Sequence, residues 1–85
     1  MNWDTREISM IIESDIYYYT ILKSAIKNEL HFMLLLYIVI EKWNEKLGEA
    51  SKHIDTANVN GNEVYISFCE AVGIETQGWN GNETD

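Results

Sequence analysis

The sequence predicts an all-α, or mostly α, single domain: a compact bundle of about four helices around one central apolar helix. Three observations point there. Proline is absent, and no glycine occurs before Gly48, so residues 1–47 contain no strong breaker. Apolar residues recur at three- and four-residue spacing, the period of a helix face. Asp, Asn and Ser residues stand where helices would need caps.

Trp3-Asp4-Thr5-Arg6-Glu7 reads as a helix start, with Asp4 as cap and Glu7 reaching back as a capping box. Trp3 before the cap would staple onto Ile8. Ile8, Ile11 and Ile12 form one face. A strict continuation would put Asp15 on that face. Ser14-Asp15 is also a good capping pair, so a break or kink is predicted there.

A second helix is predicted over 16–27. Tyr18, Tyr19, Leu22, Ala25 and Ile26 share one face, and Tyr17, Thr20, Lys23, Ser24 and Lys27 the other. Asn28 reads as a cap or short turn. The third helix, 29–47, starts with Glu29 at its positive end and is apolar all round from Phe32 to Ile40, with Trp43 and Leu47 inward after that. All-round apolarity predicts burial on most sides. Gly48 is the expected stop, with Lys46 in the last turn.

Ala50 to Ala57 is read as a short helix with Ile54 inward. Asn58 to Asn62 is a loop by composition, and Asn60-Gly61 is a turn signal. Asn62 would cap a last helix, Glu63 to Val72, with Val64, Phe68, Ala71 and Val72 inward, Tyr65 and Cys69 flanking, and Gly73 ending it. A small β element near 59–67 is the alternative, because Val64-Tyr65-Ile66 also suits a strand. The domain is bounded at 1–76, and 77–85, rich in Gly and Asn around Trp79, is read as a flexible acidic tail.

Charge is unevenly distributed. Residues 48–85 hold seven carboxylates (Glu49, Asp55, Glu63, Glu70, Glu75, Glu83, Asp85) against one base, Lys52, which accounts for −6 of the total −8. The first 47 residues are nearly balanced. Charge runs are often only solvated faces that keep a protein soluble. The near-absence of compensating bases favours a functional surface that meets a basic partner. Direct nucleic-acid binding is disfavoured, because phosphate neutralisation needs a basic stripe. Basic protein surfaces are commonly those that hold nucleic acid.

The remaining constellations are weak. Cys69 is the only cysteine, so no internal disulfide forms and a reducing, cytoplasmic setting is expected. Nothing places His31 or His53 beside it as a base, and a small buried hydrophobe is the simpler reading. Glu49, His53 and Asp55 match no tetrahedral metal pattern. No cofactor motif, phosphate loop or nucleophile elbow is present, and no catalytic residue is assigned. Met1-Asn2-Trp3-Asp4 lacks the pattern of a signal peptide, so Asn82-Glu83-Thr84 is not read as a glycosylation site. The longest apolar run, Phe32 to Ile40, has nine residues, whereas a membrane span needs ~20.

Tyr17-Tyr18-Tyr19 cannot all face one core, so Tyr17 should be exposed or at a rim. Tyr17, Tyr65 and Trp79 are the candidate anchors. Glu49, Asp55, Glu63, Glu70 and Glu75 would carry the electrostatics of partner binding.

The opening, with Trp3-Asp4-Thr5-Arg6-Glu7, Ile8, Ile11-Ile12, Ser14-Asp15 and Tyr17-Tyr18, resembles the start of small phage and mobile-element proteins of uncharacterised function, and Glu70 to Glu75 is similar to their closing segment. The likeness covers roughly a third of the chain and departs in the apolar middle and the tail. In profile the chain also resembles small acidic counter-defence proteins, including anti-CRISPR, anti-restriction and DNA-mimic proteins. That resemblance implies a non-enzymatic inhibitor that binds a basic surface of a host nuclease or effector complex and blocks its nucleic-acid or activation site. It carries over no functional residue. Two other readings stand beside it: a homo-oligomer, a homodimer in the simplest case, in which pairing covers the central helix, and a bacteriocin-immunity or antitoxin-like protein.

Overall fold

The computed structural model describes residues 1–73 as four helices joined by short connections. Helix α1 spans Trp3–Ser14, α2 Ile16–Lys23, α3 Glu29–Leu47 and α4 Gly61–Val72, with a single 3₁₀ turn at Thr56–Asn58 before α4. No strand occurs among the described residues, so the β alternative near 59–67 is replaced by the first half of α4. Helix α1 packs on both α2 and α4, and α3 closes the bundle against the same two helices.

Each helix begins at an Asn or Asp whose side chain accepts a first-turn N–H, satisfying a donor with no partner inside the helix. Asn2 takes Thr5 N (2.8 Å), Asp15 takes Tyr17 N (2.9 Å), Asn28 takes His31 N (3.0 Å) and Asn60 takes Glu63 N (3.1 Å). The break at Ser14-Asp15 is a shared residue: Asp15 donates its N–H to Ile11 O at the end of α1 and caps α2. Gly48 (φ 65°) and Gly73 (φ 89°) end α3 and α4 in backbone conformations that a side chain would strain.

Five local expectations are corrected. Helix α1 is capped by Asn2, because the Asp4 carboxylate is drawn into a tertiary bond with Asp55 N (2.8 Å). Helix α2 stops at Lys23, and residues 24–27 continue as a tighter turn with i→i+3 bonds from Ala25 N to Leu22 O and Ile26 N to Lys23 O. That turn still delivers Ala25 and Ile26 to the core. Ala50 to Ala57 forms no α-helix, because Asn44 takes both backbone groups of Ile54: its Nδ2 donates to Ile54 O (2.9 Å) and its Oδ1 accepts from Ile54 N (2.8 Å). The cap of α4 is Asn60, not Asn62, and its inward face takes in Cys69 and leaves Ala71 exposed. Lastly, α3 is buried on one side only. Phe32, Leu36, Val39 and Ile40 face the core, while Leu30, Leu34, Tyr37 and Ile38 are exposed.

Phe32 and Phe68 are fully buried at the centre. Phe32 meets Tyr65 edge-on at 5.0 Å between centroids and Phe68 at 5.5 Å; Tyr19 covers Phe68 at 5.4 Å. Ile8, Ile12, Leu22, Leu36, Ile40 and Val64 fill the space around them. Helices α3 and α4 approach closely at Gly61, where a Cβ would stand 2.6 Å from Met33 Sδ.

Truncating Phe68 removes a contact shared by three helices. Phe68→Ala is expected to cost about 3–5 kcal/mol in urea unfolding, a large part of the stability of a domain this size. Asn44→Ala leaves both Ile54 backbone groups without their partner and is expected to cost about 1–3 kcal/mol, with the loss read as a lower urea midpoint at unchanged slope.

Candidate binding surfaces

Helix α4 presents its acidic side to solvent. Glu63 lies in the first turn, where the positive helix end favours a carboxylate, and Glu70 follows two turns later on the same side. Between them lie Ile66, 38% exposed, and Ser67. Met1 joins these four residues around a shallow depression of about 250 Å³. Ser67 Oγ donates to Glu13 Oε2 of α1 (2.8 Å), which brings a third carboxylate to the edge of the patch. Sequence reasoning missed Glu13 because it belongs to the balanced first half and reaches α4 only through the α1–α4 packing.

The other predicted residues scatter. Glu49 is exposed in the connector after α3, and Asp55 is exposed at the start of the 3₁₀ turn. Asp55 Oδ1 caps Ala57 N (3.0 Å), so this carboxylate has a structural task. Neither lines the depression on α4. Tyr17 is 62% exposed with its ring edge-on to Tyr18, as its position among three tyrosines requires. Tyr65 is half-buried, and its hydroxyl donates to Ile26 O (2.7 Å), tying α4 to the turn after α2. Its polar tip is engaged inside the bundle. Glu75 and Trp79, with the segment read as an acidic tail, lie outside the described residues.

Lys52, the single base of the acidic half, holds its ammonium 4.1 Å from the centroid of the Trp3 ring. Trp3, Trp43, Ile11 and Leu47 form the apolar wall of that recess. The cation–π contact commits Lys52 to the α1 and α3 side of the connector, and it does not line the Glu63–Glu70 depression.

A wider open cleft of about 490 Å³ lies between α3 and the connector, lined by Tyr37, Glu41, Asn44, Glu45, His53 and Thr56. His53 Nε2 donates to the Gly48 carbonyl. Among the described residues no three His, Cys, Asp or Glu side chains are placed to hold a metal ion, so Glu49, His53 and Asp55 do not converge. No described helix is long and apolar enough to cross a membrane. Searches of known protein families, curated proteins and solved structures yield no match to this chain.

Cys69 is 1% exposed. Burial pushes its thiol pKa up; the Tyr65 hydroxyl pulls it down, and Glu29 and Glu70 push it up again, leaving it raised. A thiol in this setting stays protonated at neutral pH and is a poor nucleophile. Burial likewise raises the Tyr65 hydroxyl, with Cys69 and Glu29 adding to it, and raises Tyr18, with Asp15 and Tyr17 adding.

Two outcomes follow. Cys69 should resist alkylation in the native protein and react fully in denaturant; rapid native labelling would show an opening that the packing does not contain. Stability should also fall with rising pH. All three groups have folded pKa values above their unfolded ones, so the unfolded chain releases protons first. Their contribution is complete below about pH 8 and is lost progressively above the ordinary thiol and phenol values of about 8.5 and 10. Tyr65→Phe should flatten the alkaline part of a stability–pH curve.

Proposed function

We propose that this protein acts by binding and not by catalysis, and that the acidic face of α4 docks on a basic surface of a host protein. The observation that carries the reading is the cluster of Glu63 and Glu70 around partly exposed Ile66 and Ser67, with Glu13 at its edge. Such a patch combines long-range attraction for a basic partner with a small apolar centre that excludes water on contact. The commitment of Lys52 to Trp3 leaves these carboxylates without help from the one base of their half of the chain.

The partner class follows from the sign of the charge. A net charge of −8 repels nucleic acid and attracts the surfaces that bind it. A nuclease or effector complex whose nucleic-acid or activation site is blocked is the partner that fits this logic. The profile resemblance to phage counter-defence proteins supports the same reading, as does the absence of an activated nucleophile at Cys69. The site of action would be the host cytoplasm.

The test is capture from the native host with the full chain, followed by a direct competition assay. The captured protein should bind nucleic acid through a basic groove, and this protein should displace that nucleic acid. Affinity should drop steeply with salt. Glu63→Lys combined with Glu70→Lys should weaken binding by at least about tenfold without changing the helical circular dichroism signal. Binding that stays flat from low to high salt, or survives the double reversal, removes the acidic face from the mechanism.

A further inference from the structure

The exposed side of α3 is organised. Leu30, Leu34, Tyr37 and Ile38 are 71%, 57%, 46% and 48% exposed. At helical spacing they fall within an arc of about 100°, directly opposite the buried face, and extend over about 12 Å. Glu41, also exposed, continues the same strip toward the C-terminal end of the helix. Exposed Lys27 stands in the turn just before the N-terminal end. The strip of four large apolar side chains thus continues into a carboxylate at Glu41 and has a lysine in the turn beyond its other end.

We infer that this strip is a two-fold interface between two copies of the chain, with the α3 helices antiparallel and Leu34 on the axis. Self-complementarity selects this occupant. In a two-fold contact, residue i meets j while j meets i. With Leu34 facing its own copy, Leu30 meets Ile38 and Lys27 meets Glu41, each pair formed twice. Leu30, Leu34 and Ile38 each find an apolar partner, Tyr37 lies across from exposed His31, and each charged end finds the opposite charge. The antiparallel arrangement also sets the positive end of one helix beside the negative end of the other. A parallel pairing would place like charges together at both ends. The contact area of one helix face is at the small end of stable interfaces, so a reversible dimer with micromolar dissociation is expected. The interface is separate from the acidic residues of α4, and either surface can fail without the other.

Sedimentation of the full chain across a wide concentration range tests it. The wild type should pass from monomer to dimer, and high salt should weaken the dimer only slightly, because its centre is apolar. Leu34→Glu places two carboxylates on the axis and should give monomer at every concentration, with unchanged helical signal and with the urea midpoint that the wild type shows when dilute enough to be monomeric. Lys27→Glu or Glu41→Lys alone creates like-charge pairs at both ends and should raise the dissociation constant about tenfold. The two together should restore it, a result that only the antiparallel register produces. A wild type that remains monomeric throughout overturns the proposal, as does a dimer untouched by Leu34→Glu or a charge swap that fails to restore association. A monomer that binds lipid vesicles through the strip also overturns it, in favour of a membrane surface.

Discussion

The position of α4, and with it the acidic face, depends on how residues 48–60 are held. This connector is polar, contains only one 3₁₀ turn, and buries only Ile54. Its backbone is pinned by side chains from two helices. Asn44 of α3 takes both groups of Ile54. Asp4 of α1 accepts from Asp55 N, and Thr5 Oγ1 accepts from Asn60 N (2.9 Å). Asn2 Nδ2 adds a bond to Asn58 O. Asp4 and Thr5 are themselves buried, so these bonds form away from competing water and losing one strands a polar group. Without them the connector would keep only the apolar contacts of Ile54 and Val59 and the Lys52–Trp3 contact to bring α4 back beside α1.

Beyond that joint the bundle follows ordinary packing logic. Aliphatic side chains from all four helices around Phe32 and Phe68 give one continuous core. Three polar contacts then fix angles that apolar contact alone leaves loose. Tyr65 reaches Ile26 O, Ser67 reaches Glu13, and Asp15 joins α1 to α2. Three shorter helices cannot enclose a 19-residue helix on every side, which is why α3 keeps one apolar face in solvent.

Helix existence and most of the core were legible because the signals are local. Apolar spacing and capping residues identify α1, α2, α3 and α4, and Gly48 and Gly73 mark two ends. What was misread was decided at a distance. Asn2 and Asp4 are both good caps; Asp4 is drawn away by a backbone N–H fifty-one positions along the chain. Residues 50–57 contain helix formers, but the Ile54 backbone is taken by an Asn from the preceding helix. The uniform apolarity of Phe32 to Ile40 carries no information about which side is covered, so the outer strip could not be separated from the inner one. The acidic excess was visible as a count. Its geometry was not, because Glu13 joins Glu63 and Glu70 only through packing, while Asp55 is occupied as a cap.

The recess under Lys52 has an optical consequence. Trp3 and Trp43 line the same wall, one beneath a lysine ammonium and the other beside Tyr18 and Lys46. Neither indole borders the α4 depression, and neither belongs to the outer strip of α3. In a Trp79→Phe variant, emission from these two indoles is therefore a local gauge of the joint between α1, α3 and the connector. It brightens, dims or shifts when that joint loosens, and stays quiet when a rigid partner settles on either outer face.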